Sequence, residues 1–315
     1  MSQLTPRTTP TRTFEENYEG IMDAAVIPDK RQMVTTMNGE ELRLWDLETG
    51  VVLKEMRGHS QGVGALAVSR DGKMIASCGY GGEIIAWHGD TGESLVEPIK
   101  VYSDRVQVTS VDFSPDGILA IAGGNTVKFW CTKTWQMQGE PMKCGTDTSA
   151  ICCVRYSPSG DLAIARDSGI HIYNPATRAR VTFFKGHTRF NLLLAWTPDG
   201  TCLLSAGDNK DPTIREWDSS TWQQVGHAWE GHTDSIYAIA IHPAGTLVAS
   251  ASDDKHVRLW QLSNKQTIAI FQPSSIATCV TFSISEPMNK LYYHSRLYID
   301  NNHSNLHRYA NGYYM

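Results

Sequence analysis

A chain of 315 residues, 41% apolar and 19% charged, can bury a sizeable core, either as two ordinary domains or as one large closed one. Its net charge of −5 argues against nucleic acid held on a broad basic surface, and no apolar run approaches the ~18 residues of a membrane-spanning helix. Seven cysteines, with no Cys-x-x-Cys pair and no signal-peptide-like start, read as reduced thiols of a cytoplasmic or nuclear protein.

Residues 1–10, MSQLTPRTTP, carry no apolar pattern and are expected to be a flexible tail. From residue 11 onward, short apolar runs alternate with turn residues. Aromatic residues close such runs at Trp45, Trp87, Trp130, Tyr173, Trp217 and Trp260, at steps of 42, 43, 43, 44 and 43. About sixteen residues before each lies a turn, as at Pro115-Asp116-Gly117, Pro158-Ser159-Gly160 and Pro198-Asp199-Gly200. The stretch from Gly231 to Gln261 shows the whole unit: the runs Ile236 to Ile241, Leu247 to Ala251 and Val257 to Trp260 predict three antiparallel strands, joined by turns at Pro243 to Gly245 and Asp253 to Lys255. One such sheet cannot bury both of its faces. Stacked copies can.

Gly-His pairs open repeats at Gly58-His59, Gly186-His187 and Gly231-His232, and Trp45-Asp46 and Trp217-Asp218 close them. With these marks the chain resembles the WD-repeat β-propellers over roughly residues 11 to 283. The resemblance implies an all-β fold of four-stranded blades around a central channel. Six repeats are explicit and a seventh begins at Ile276, so a single seven-bladed propeller is expected over residues 11–315. Residues 11 to 15 resemble the outer strands before other repeats and are expected to close the last blade, which removes an exposed sheet edge. Ile284 stands where other repeats have the turn proline, and residues 284–315 fit no repeat. They form either a divergent, atypical last blade, with strands from Leu291 to Leu297 and Leu306 to Tyr309, or a segment that is not repeat sequence and is poorly ordered.

The resemblance assigns His232, Ser250, Asp254 and Trp260 to a buried hydrogen-bonded tetrad. A Ser-His-Asp set also suggests a hydrolase, but no G-x-S-x-G elbow accompanies it. Other repeats keep only parts of the set: the second has His59, Ser77 and Trp87 with Gly81 in place of the acid, the fourth keeps Asp167, and the fifth keeps His187 and Trp217 with a longer hairpin at Asp208 to Asp211. No metal-binding motif, phosphate loop or dinucleotide fingerprint is present, and neither a cofactor nor a catalytic residue is expected. Trp135, Trp222 and Trp229 lie outside the closing positions and are expected to cover seams between blades.

Function is then expected from a surface. Transferring the family's usual partner-binding rim repeat by repeat, counted six and eight residues before the turn proline or its equivalent, gives Gly20 and Met22, Gly62 and Gly64, Gln107 and Thr109, Ala150 and Cys152, Phe190 and Leu192, and Ser235 and Tyr237 at the entry to the first strand; of these Met22, Phe190, Leu192 and Tyr237 are apolar or aromatic. Tyr80, Arg166, Asp253 and Asn38 come from the hairpin before the tetrad acid. Clustered apolar and aromatic side chains there point to a protein or peptide partner, with Arg166 and Asp253 as polar specificity elements. The expected protein is a non-catalytic interaction scaffold, one propeller within a complex, binding neither nucleic acid nor membrane. Alternatives are a sensor module like the propellers of signalling ATPases, or an enzyme with acidic or histidine side chains converging in the channel.

Overall fold

A computed structural model describes residues 21–28, 30–37, 39–103, 106–145, 149–167, 169–273, 276–283 and 290–296. Antiparallel sheets follow one another along the chain. Sheet 1 holds β1 (Ile21–Val26), β2 (Gln32–Met37), β3 (Glu41–Asp46) and β4 (Val52–Arg57), and sheet 2 holds β5 (Val63–Val68), β6 (Met74–Gly79), β7 (Glu83–His88) and β8 (Ile99–Lys100). In sheet 3, β9 (Val108–Phe113), β10 (Ile118–Gly123) and β11 (Thr126–Cys131) are edged by two short pieces on β11, β12 (Gln136–Met137) and β13 (Met142–Lys143). Sheet 4 comprises β14 (Ile151–Tyr156), β15 (Leu162–Arg166), β16 (Gly169–Asn174) and β17 (Ala179–Phe184); sheet 5, β18 (Asn191–Trp196), β19 (Cys202–Gly207) and β20 (Ile214–Asp218). Sheet 6 comprises β21 (Ile236–Ile241), β22 (Leu247–Ser252), β23 (Val257–Gln261) and β24 (Thr267–Phe271); sheet 7, β25 (Ile276–Ser283) and β26 (Lys290–Arg296).

The fold is an all-β propeller. Among the described residues six sheets have three or more strands, against the seven full blades expected, and the last position holds the two-stranded β25–β26 sheet. The turn chemistry that organises the other units is missing after Ser283, where Ile284 replaces proline. The tail at 1–10, the expected closing strand at 11 to 15 and the expected strand from Leu306 to Tyr309 lie outside the described residues.

Second strands are buried on both faces, which is why they read as Val, Ile, Leu, Ala and small residues with few charges. Core layers form between consecutive sheets: Val34, Leu42 and Leu44 of sheet 1, for example, pack on Leu66, Ile75 and Trp87 of sheet 2. Equivalent layers join each later pair, and Ile21 of β1 packs against Cys279 of β25. First strands touch in the order β1, β5, β9, β14, β18, β21, β25 and back to β1. There Thr278 Oγ1 donates to the Ile21 carbonyl at 2.7 Å.

One hairpin position recurs between the third and fourth strands with left-handed backbone: Gly50, Gly92, Trp135, Arg178, Trp222 and Lys265. For a non-glycine residue this conformation costs about 1–2 kcal/mol, and each such side chain crosses to the preceding sheet. Trp135 packs on the layer containing Met74 and Ile99, and Trp222 lies 5.9 Å from Phe184 and 6.0 Å from Trp196. Arg178 donates to the carbonyls of Gln138 and Glu140. Lys265 donates to the Val225 carbonyl and pairs with Glu216 at 3.1 Å.

Candidate functional site

Every first strand carries one residue too many. The register slips once near its start, leaving Met22, Gly64, Thr109, Cys152, Leu192, Tyr237 and Thr278 opposite no partner. A bulge bends the strand and re-aims the side chain at that point. Repeated around the ring, the bulges encircle the mouth of a central cavity of about 440 Å³, which all seven first strands line. Thr278 was missed by sequence reasoning because its repeat lacks the turn proline from which the position is counted, yet it lies six residues before Ile284, the same spacing as in the other repeats.

The mouth is uneven. Large apolar bulge residues come from sheets 1, 5 and 6, as Met22, Leu192 and Tyr237, whereas sheets 2, 3 and 4 contribute Gly64, Thr109 and Cys152. Tyr237 is 37% exposed, and its hydroxyl donates to Asp253 Oδ2 at 3.1 Å. Burial pushes the Asp253 carboxyl above its usual range; the Tyr237 hydrogen bond offsets part of that, and Asp234 and Asp254 add to it. Phe190 is half-buried beneath the Arg189 guanidinium, 4.5 Å from the ring centre. Tyr80 lies over two glycines. A Cβ on Gly64 would sit 2.4 Å from its ring and one on Gly62 3.2 Å, so the Gly-x-Gly pair is the seat that holds this aromatic side chain at the mouth.

Arg166 does not belong to the surface. It is 0% exposed and donates to the Ser149 carbonyl at 2.7 Å. The room it occupies exists because Gly145 has no side chain: a Cβ there would lie 2.5 Å from the guanidinium. Asn38 lies outside the described residues.

Below the mouth, the walls carry Asp23, Asp112 and Arg155. Burial pushes the Asp23 carboxyl up to about 6, against the opposing charge of Arg155 and a hydrogen bond from the Leu66 N–H. Asp112, raised by burial in the same way, accepts from Tyr156 N at 2.6 Å. Ser110 Oγ accepts from Val154 N at 3.1 Å, and Trp196 Nε1 donates to the Arg155 carbonyl at 3.2 Å. These side chains occupy the free backbone edge of a neighbouring first strand, a structural use of polar groups. At the end of the channel with the first hairpin turns, Arg70 bypasses sheet 3 and donates to the Ser157 and Pro158 carbonyls of sheet 4, at 2.8 and 3.4 Å. Among the described residues no group of three His, Cys, Asp or Glu side chains is spaced for a metal ion.

In sheet 6, His232 Nδ1 lies 2.8 Å from Asp254 Oδ2 and Nε2 lies 2.7 Å from Ser250 Oγ, which accepts from Trp260 Nε1 at 2.8 Å. Sheet 2 makes the same chain by another route. His59 bonds Ser77 at 2.6 Å, Trp87 donates to Ser77 at 2.8 Å, and the carboxylate comes from Glu83, 3.3 Å from His59 Nδ1. The expected deficit at Gly81 is thus a clearance: a Cβ at Gly79 or Gly81 would lie 2.6 or 2.4 Å from the Glu83 oxygens. In sheet 5, Asp211 from the longer hairpin lies 3.4 Å from His187, which bonds Ser205 at 2.9 Å, and Trp217 donates to Ser205 at 2.9 Å. Burial lowers the His59 and His232 pKa values. For Asp254, Glu83 and Asp211, burial alone would raise the pKa, but hydrogen bonds, including those from the paired histidines, outweigh it and hold each below the carboxylate range. Ser250 is fully buried and serves as acceptor to an indole, so these Ser-His-acid sets act as braces within each sheet.

Comparison with known proteins agrees with this geometry. The family model described as "WD domain, G-beta repeat" matches residues 50–88, 96–131, 178–218 and 223–261. The chain is 28% identical over 104 residues to eukaryotic translation initiation factor 3 subunit I of Mycosarcoma maydis, covering 33% of this chain and 29% of that protein. It is 21% identical over 291 residues to the 66 kDa stress protein of Physarum polycephalum, covering 80% and 48%. The chain therefore spans less than half the length of either relative. The crystal structure of the Cps50 (Swd1) β-propeller domain of Myceliophteria thermophila superposes with a TM-score of 0.72 at 17% identity, covering 84% of this chain and 93% of that one, a likeness of fold.

Proposed function

Because the chain belongs to the WD-repeat family, we propose that it is a non-catalytic scaffold whose uneven channel mouth takes a segment of a protein partner. The observation that carries this is the ring of bulges, which fixes one side chain per first strand at the mouth and makes three of them, Met22, Leu192 and Tyr237, large and apolar. Tyr80 and Phe190 extend the apolar surface, and the Tyr237–Asp253 pair supplies a polar contact. Second strands buried on both faces back the first strands that carry these groups, so little conformational entropy is lost when a partner docks. One relative is named as a subunit of a translation initiation factor, which suits a single propeller working inside a larger assembly, in the cytoplasm or nucleus. In this reading the two-stranded β25–β26 sheet takes the place of the last blade.

Affinity capture with wild type and with a Phe190→Ala/Tyr237→Ala double variant tests the site. The double variant should lose partners that an outer-strand control, Val181→Ser, keeps, with melting temperatures of all three measured in parallel. Retention of the same partners at equal strength by the folded double variant would show that the mouth is not the docking surface.

A further inference from the structure

A second cavity, of about 560 Å³, opens between sheets 3 and 4 on the face of the first hairpin turns, away from the bulges. Its origin lies in the outer strand of sheet 3, which is interrupted between Met137 and Met142. Sheet 2 has a comparable interruption, where Ser94 bridges Trp87 well before β8 begins, and there Trp135 packs in from the next sheet. At the sheet 3–4 seam the corresponding residue is Arg178. Its slender side chain is held by two carbonyls, 5.4 Å from the Phe129 ring centre, and the cleft remains beside it.

The lining is selective. Phe129 and Ile118 supply an apolar wall, Asp116 and Asp161 carboxylates, and Tyr156 an aromatic ring. Tyr156 is 4% exposed, and its hydroxyl has no hydrogen-bond partner. Leaving such a group unpaired costs about 1–3 kcal/mol, whereas Phe113 fills the corresponding end of β9 without a hydroxyl. Burial, with Asp112 and Asp116 nearby, keeps the phenol protonated, able to donate and accept. The lining cation, Arg178, is already engaged with backbone carbonyls.

We propose that this cleft binds an aliphatic ammonium group on an apolar stem, as carried by a lysine side chain or a free alkyl diamine. The stem lies against Phe129 and Ile118, the cation between Asp116 and Asp161, and the ligand relieves the unpaired Tyr156 hydroxyl. The volume lies within the range of small-ligand sites.

Titration of isoleucine-methyl-labelled protein with n-butylammonium, followed by NMR, tests it. The Ile118 methyl signal should shift saturably with n-butylammonium and not with n-butanol, and Asp116→Asn/Asp161→Asn should weaken binding about tenfold, the loss expected for hydrogen bonds to charged groups. Absence of a saturable shift, or an equal response to n-butanol, overturns the proposal. Tyr156→Phe separates a ligand-binding hydroxyl from a structural one: the variant should bind more weakly yet melt higher without ligand, whereas a lower melting temperature with unchanged affinity counts against the site. N-acetyl-lysine methylamide and cadaverine, titrated in parallel, distinguish a peptide source from a free amine, and failure of both to move Ile118 removes both.

Discussion

Three carboxylates of different origin reach the same kind of brace: Asp254 from a short hairpin, Asp211 from a longer one, and Glu83 from the strand beyond. Each is buried with its histidine, so Asp254→Ala and Glu83→Ala should each cost about 1.5–3 kcal/mol. Asp167→Ala, in a sheet with Tyr173 at the tryptophan position, should cost less. Denaturant melts of the three variants check this, and equal losses for all would refute it. The pH dependence has a definite sign. His59 and His232 have folded pKa values below the ordinary 6.5, so the unfolded chain binds more protons below that pH and stability falls as pH drops through it. The depressed carboxylates add full stability above their ordinary values of 3.8 and 4.5, lost as pH falls further. His232, Ser250, Asp254 and Trp260 were legible because their spacings fit the repeat. Glu83 was not, since a longer side chain two positions on replaces the aspartate, and Arg166 was misread because only the fold brings Gly145 beside it.

At the level of the hairpin, strain and packing oppose each other. Trp222 sits at φ 58° against Phe184 and Trp196. Trp222→Gly relieves about 1–2 kcal/mol of backbone cost but removes aromatic burial of about 3–5 kcal/mol. The variant should therefore be less stable by about 2 kcal/mol, and a melting temperature equal to or above wild type would reverse the order of the two effects. The bulges belong to the same scale. Counting back from the turn residues located six of the seven, because spacing from that turn is fixed by strand length, but a linear sequence does not display a register slip.

For the whole molecule, a period near forty-three residues made the circular stacking legible, while the extent of the last sheet was not, since its turn chemistry departs from the pattern that announces a strand. A two-stranded sheet is marginal by itself, so β26 amides should exchange hydrogen faster than those of β22 and β23, and equal protection would show that sheet 7 is as firmly built as sheet 6. Arg70 has a consequence at this scale too. Five repeats place proline at this turn position, and the arginine of the second repeat reaches beyond its neighbour to the next sheet but one. That strut is a chord across the ring: it ties sheet 2 directly to sheet 4, so an outward displacement of either one strains a bond that packing between neighbours alone would not supply.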